Sequence, residues 1–163
     1  MNKLKALAMV TMAGLVTLSA QRATASDLYS GHEASLDLFG FYGSRDKSGH
    51  GDALGIGVGG NYFFDQHWGV GADTYADAFN TPYMLNGSVI FRYPIGETRF
   101  APYGFAGFGR QWEHAAQWTG HLGAGVEYRL DHRTGAFVDL REVFPDNTGD
   151  YTVFRFGFRI KFM

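Results

Sequence analysis

Residues 151–162 read YTVFRFGFRIKF. Thr152, Phe154, Phe156, Phe158, Ile160 and Phe162 share one parity, and Tyr151, Val153, Arg155, Gly157, Arg159 and Lys161 share the other. Successive side chains of a strand point to opposite sides, so this strict period of two describes a strand with two unlike faces. A helix would scatter the same phenylalanines and arginines round its whole circumference. One face is almost entirely apolar, and the other carries two arginines and a lysine.

Working backwards from that strand, the same alternation recurs between turn residues. The predicted strands are Ser35–Gly43, Ala53–Phe64, Trp68–Ala76, Tyr83–Tyr93, Phe100–Trp112, Trp118–Leu130, Gly135–Phe144 and Tyr151–Phe162. Most are near the ~9–11 residues of a tilted membrane-crossing strand and longer than the usual soluble strand of ~5–6. Asp65-Gln66-His67, Pro94–Arg99 and Asp131–Thr134 read as tight turns. Ser44–Asp52, Asp77–Pro82, Glu113–Gln117 and Pro145–Asp150 read as the connections at the opposite end. Short connections throughout imply sequential antiparallel pairing. Eight such strands close into an up-and-down barrel, which removes exposed edges. The expected fold is therefore all-β, an eight-stranded antiparallel up-and-down barrel.

Composition narrows the class. The chain has 163 residues and 23 glycines, about twice the ordinary share of roughly 7%. Aromatic residues make up 17% and charged residues 18%, and there is no cysteine. A disulfide framework and a thiolate metal site are excluded. Collagen and coiled-coil patterns are absent, and the apolar content is too high for disorder.

The first 25 residues read as a secretory signal peptide. Lys3 and Lys5 precede an apolar run from Ala6 to about Leu18, and Ala23-Thr24-Ala25 supplies an A-x-A cleavage site. The run is shorter than the ~20 residues of a spanning helix. Residues 26–163 then form the barrel domain. Cleavage removes Lys3, Lys5 and Arg22, leaving the mature chain more acidic than the formal net charge of −2. That balance gives no footing for nucleic acid.

Alternation by itself fits a soluble barrel with its apolar face inward or a membrane barrel with that face outward. Three features favour the membrane form. Much of the polar face is glycine, which suits a narrow lumen and would only weaken a solvated surface. Tyr42, Tyr62, Trp68, Tyr83, Tyr93, Trp112, Trp118 and Tyr128 lie near strand ends, where amphipathic rings form interfacial girdles. The signal peptide supplies the export route. Phe39, Phe41 and Phe108 fall on the polar side of the first and fifth strands and fit this scheme less well.

Three stretches carry a family resemblance. Arg155, Gly157, Ile160 and Phe162 match the polar–glycine–apolar–aromatic spacing of a C-terminal β-signal, although Met163 follows the aromatic residue. Residues 102–109, PYGFAGFG, and 121–130, HLGAGVEYRL, are similar to the fifth and sixth strands of the same family. The mature chain thus resembles the small outer-membrane β-barrel domain family, the OmpA-like and opacity-protein-like porin superfamily. The resemblance implies an integral protein of the Gram-negative outer membrane. Its partners would be membrane lipid, lipopolysaccharide and the barrel-insertion machinery that reads the C-terminal signal. Because the sequence ends at that signal, no peptidoglycan-binding domain is expected beside the barrel, unlike full-length OmpA-like proteins.

With the polar face inside, the lumen is expected to hold Asp37, Asp73, Glu127 and Asp139 with Arg92, Arg110, Arg129, Arg141, Arg155, Arg159 and Lys161. Unpaired buried charges are costly, so these groups should pair. Glu127 with a neighbouring arginine, and Asp139 with Arg141 or Arg155, are the expected bridges. An eight-stranded barrel has an interior only just wide enough for side chains. The expected role is structural: a monomeric, non-enzymatic barrel supporting membrane integrity. The excess of seven bases over four acids motivates an alternative, a narrow porin-like channel preferring anions.

A second alternative is surface interaction through the loop Gly43–Asp52, which carries Arg45, Asp46, Lys47, His50 and Asp52. Lipid A modification needs a hydroxyl nucleophile beside a base. His121 and Ser88 fall on the lumen parity, while His50 and His114 lie in loops, so no catalytic residue is assigned. The six histidines are too scattered for a shared metal. The run GIGVGG at 55–60 lacks the helix and downstream acid of a dinucleotide site, so no cofactor is expected.

Overall fold

The computed structural model describes residues 28–45, 53–77, 83–113 and 115–162. The expected signal segment with Ala23 and Ala25, the loop residues Asp46, Lys47, His50 and Asp52, and His114 lie outside the described residues. In chain order the strands are β1 (Glu33–Arg45), β2 (Ala53–Phe63), β3 (Trp68–Asp77), β4 (Tyr83–Arg92), β5 (Phe100–Glu113), β6 (Ala115–Arg129), β7 (Thr134–Pro145) and β8 (Tyr151–Lys161). Each pairs antiparallel with its sequence neighbours, and β8 closes on β1. The fold is a closed eight-stranded up-and-down barrel, as expected from the alternation. An 11-residue strand such as β8 climbs roughly 28 Å at the usual rise and tilt, enough for the ~25 Å apolar band of a membrane barrel.

Strand ends differ from the sequence reading in two informative places. The first strand begins at Glu33 rather than Ser35, because Glu33 pairs with Phe63 and continues the ladder. The expected connection Glu113–Gln117 is mostly strand. Gln111 pairs with Gln117, Trp112 with Ala116 and Glu113 with Ala115, so the hairpin is much tighter. Ala115 and Ala116 carry no turn chemistry, and nothing there interrupts the alternation.

The turn end of the barrel is defined by two matching devices. Asp65 Oδ1 accepts the backbone N–H groups of His67 at 2.6 Å and Trp68 at 2.7 Å. Asp131 Oδ1 accepts those of Arg133 at 2.7 Å and Thr134 at 2.8 Å. These are Asx-type turns, in which a short carboxylate replaces a backbone acceptor. The donated hydrogen bonds hold both carboxyls below the usual carboxylate range.

The outward face is apolar. Ile56, Val89, Phe108, Leu122 and Phe158 are all exposed on it, Phe108 at 78%. Near the turn end Tyr62, Phe64, Trp68, Phe91 and Tyr93 are exposed, and Trp68 and Phe91 pack with ring centroids 4.9 Å apart. Tyr42, Trp112, Trp118, Phe144 and Phe154 occupy the other end. Rings with a polar edge at both borders match the interfacial girdles of membrane barrels.

Glycine lines the inner face for a steric reason. A Cβ on Gly57 would collide with the ring of Phe39, and one on Gly123 with the ring of Phe105. The bare strand wall makes room for rings that point inward, which explains Phe39 and Phe41 on the polar side of β1. Phe108 belongs elsewhere. Tyr103, Phe105 and Gln111 of β5 are buried inside, while Phe108, Arg110 and Trp112 face outward. The expectation that Arg110 lies in the lumen is therefore corrected. Both faces of β5 carry aromatic rings, so its period gives no sign of direction. Arg110 is accommodated outside, its guanidinium 5.2 Å from the Trp118 ring and 6.0 Å from the Trp112 ring.

Candidate functional site

The chemistry of this molecule is concentrated inside the barrel, where inward parity on several strands brings charged side chains together. Towards the turn end, Glu33 of β1 meets Arg92 of β4, with Nη1 and Nη2 at 3.2 Å and 3.3 Å from its two oxygens. Arg129 of β6 donates to the same carboxylate. Arg129 Nε also lies 2.6 Å from Glu127 Oε1, a charge contact without hydrogen-bond geometry. Arg159 of β8 grips Asp37 with Nε and Nη2, both at 2.8 Å, and reaches Glu127 with Nη1 at 2.5 Å. Asn61 donates to Asp37 at 2.8 Å.

Halfway along the barrel a second set forms. Arg141 of β7 donates from both terminal nitrogens to Asp73 of β3, at 2.9 Å and 2.5 Å. β3 and β7 are diametrically opposed in an eight-stranded ring, so this fork-to-fork pair is a bar across the lumen. Arg155 of β8 grips Asp139 with Nε at 2.7 Å and Nη2 at 2.9 Å, and reaches Asp73 at 3.2 Å. Tyr103 donates to Asp139 at 2.6 Å, and Asn86 to Asp73 at 2.9 Å. The space among these side chains is only about 20 Å³, room for about one water.

Among the described residues, side chains fill the interior towards both ends. At the turn end Tyr29 lies 1% exposed, with the guanidinium groups of Arg92 and Arg129 at 4.9 Å and 5.1 Å from its ring. Its hydroxyl donates to the Arg99 carbonyl at 2.7 Å, and Lys161 Nζ donates to Ser30 at 2.6 Å. Towards the loop end the interior becomes apolar: Phe41, Tyr75, Met84, Val143, Tyr151 and Val153 form one buried cluster. Tyr75 turns its hydroxyl onto Met84 Sδ at 2.8 Å.

Asp37, Asp73, Arg92, Glu127, Arg129, Asp139, Arg141, Arg155, Arg159 and Lys161 thus all face the interior, and Arg110 does not. Arg141 pairs with Asp73 rather than with Asp139, which Arg155 occupies. Glu33 is the acid that sequence reasoning missed. It shares parity with Ser35 and Asp37, and extending β1 by one inward position would have found it. With Glu33 included and Arg110 outside, the interior holds six bases and five acids among the described residues. Tyr29 precedes any strand and left no periodic signal.

Of the β-signal positions, Arg155 and Gly157 face inward, while Ile160 and Phe162 face outward. Ser88 Oγ and His121 Nε2 do meet, at 2.9 Å, inside the wall. His121 Nδ1 is buried with no acceptor, so no carboxylate orients the ring. Among the described residues no three His, Cys, Asp or Glu side chains group to hold a metal.

The comparisons agree with this geometry. The N-terminal β-barrel domain of OprF from Pseudomonas aeruginosa superposes with a TM-score of 0.63 at 16% identity, covering 82% of this chain and 99% of that one. OprG of the same organism gives 0.55 at 13% identity, covering 83% and 98%. Ail, the attachment invasion locus protein of Yersinia pestis, gives 0.55 at 16%, covering 80% and 97%. At these identities the likeness is one of fold, a transmembrane barrel. Among curated protein sequences none matches. A family model for the outer membrane protein β-barrel domain matches residues 8–162, nearly the whole chain, and so this chain belongs to the outer membrane protein β-barrel domain family.

Proposed function

We propose that this protein is a passive, monomeric barrel of the Gram-negative outer membrane, exported by its signal peptide and serving membrane integrity rather than transport or catalysis. The observation that carries the reading is the Arg141–Asp73 bar across the lumen, joined by Arg155 and Asp139. Hydrated ions need a continuous path, and here charge is satisfied by charge across the barrel. The near balance of six bases and five acids also removes the motive for an anion pore. The Ser88–His121 contact lacks an orienting acid, which supports a non-enzymatic role. Partners on this reading are membrane lipid, lipopolysaccharide and the insertion machinery, addressed through Arg155, Gly157, Ile160 and Phe162.

Planar-bilayer recording of refolded protein tests the reading. No discrete conductance is expected, while cell fractionation places the chain in the outer membrane with a heat-dependent mobility shift. Stable, ion-selective current steps from the wild-type chain would overturn it.

A further inference from the structure

Arg110 and the surface beneath it form a feature that a sealed barrel does not need. Arg110 is the one exposed arginine on an outward strand face among the described residues whose side chains are placed. It lies three residues before the end of β5, opposite Trp118 in the ladder. Asp146 N–H donates to the Trp118 carbonyl at 3.1 Å, just past the end of β7, so this level is the loop-end border. A cation on the lipid face is tolerated near the border, where its cost is small, and not at the midplane. No carboxylate pairs with it among the described residues. Two tryptophan rings hold the guanidinium in place and leave its donors free.

The surface towards the membrane centre is a broad, open depression. This groove spans about 850 Å³ over the wall of β3 to β7, lined by Val70, Gly87, Phe108, Gly120, Leu122 and Phe144 among others. Phe108 and Gly120 form the outward pair next to Arg110 and Trp118, about 7 Å along the strands. The two glycines of this depression, like the outward Gly60 and Gly104 elsewhere on the wall, differ from those of the lumen. A Cβ on Gly120 would meet nothing within 4 Å, and one on Gly87 only the Phe108 carbonyl at 3.9 Å. Packing within the protein therefore does not require glycine at either position, yet their bareness is what deepens the groove.

We propose that Arg110, Trp112 and Trp118 bind the phosphate of one anionic lipid headgroup, whose acyl chain fills the groove over Gly87 and Gly120. Charge complementarity selects the headgroup, since an unpaired guanidinium on an apolar face matches a phosphate in geometry and sign. The groove stops short of the guanidinium, but its Phe108–Gly120 wall is the next outward pair along the strands, and that adjacency favours a lipid over a soluble anion. The site stands whether or not the interior conducts.

The test is native mass spectrometry of the full folded chain in neutral detergent, offered equal phosphatidylglycerol and phosphatidylcholine. One phosphatidylglycerol should be retained per barrel in preference to phosphatidylcholine. Arg110→Ala should weaken that retention about tenfold, roughly what one charge-assisted contact supplies. Gly120→Leu keeps the charge and fills the groove, and it should weaken retention as well. A heat-modifiability gel confirms that each variant is folded. Equal retention of both lipids, or unchanged retention in Arg110→Ala, would overturn the site. Displacement by millimolar inorganic phosphate would show a simple anion site and overturn the lipid assignment. Unchanged retention in Gly120→Leu would overturn the role of the groove.

Discussion

The two halves of the lumen share one apolar cluster but differ in whether ion pairs hold them. From the turn end to the middle, Glu33, Asp37, Asp73, Glu127 and Asp139 are locked to arginines drawn from four strands. Towards the loop end, Phe41, Tyr75, Met84, Val143, Tyr151 and Val153 pack around uncharged polar groups such as Gln111, which accepts from the Tyr151 hydroxyl. The difference teaches that a narrow barrel can be filled in two ways with different failure modes. A charged half fails when one partner is lost, because the other stays buried and unpaired. An apolar half fails by leaving a void, which its neighbours close in part.

The largest effect is expected at the bar across the lumen. Asp73→Asn leaves Arg141 and Arg155 without their shared carboxylate and should cost about 3–5 kcal/mol of folding stability. Urea unfolding in detergent micelles checks this. A loss no larger than that of an exposed substitution would show that the charged half is hydrated rather than locked.

A smaller effect is expected in the apolar half. Met84→Ala removes buried volume beside Tyr75 and Tyr151 and should cost about 2–4 kcal/mol. It should not open a current in a planar bilayer, because the Arg141–Asp73 bar still crosses the barrel. Combining Met84→Ala with Asp73→Ala should give leak currents that neither single variant gives. If Met84→Ala conducts by itself, the seal lies in the apolar half and the comparison is reversed.

The smallest effect concerns the rim beside the charged half. The carboxyls of Asp65 and Asp131 are held low by backbone hydrogen bonds in the folded turns. A depressed folded pKa gives stability that is present above the unfolded value of about 4 and is lost as pH falls through the folded value. Both groups are exposed, so only a slight drop in unfolding midpoint between pH 5 and pH 3 is expected from them. Asp65→Asn keeps an acceptor for the His67 and Trp68 amides and should reduce that drop. An unchanged acid profile would remove Asp65 from the account.

Much of this was legible in single strands. β8 and β6 each carry a run in which one face is apolar and the other holds glycine and charge, and both sort inside from outside as their alternation predicts. β5 did not, because Tyr103 and Phe105 on one face are matched by Phe108 and Trp112 on the other. Its direction is set by its neighbours: Phe105 needs the space that Gly123 leaves bare inside the barrel. Glu33 was passed over because one charged residue at a strand end carries no period of its own.

By itself the sequence determined the number of strands, their antiparallel order and, on most of them, which face meets lipid. Those follow from a period of two and from short connections, both local properties of the chain. Only the tertiary structure decided which carboxylate each arginine holds, and where Arg110 goes. Asp73 and Arg141 stand 68 residues apart and meet because closure of eight strands sets β3 opposite β7. Partner choice across a lumen is a consequence of barrel radius and register, and neither is written in any one strand.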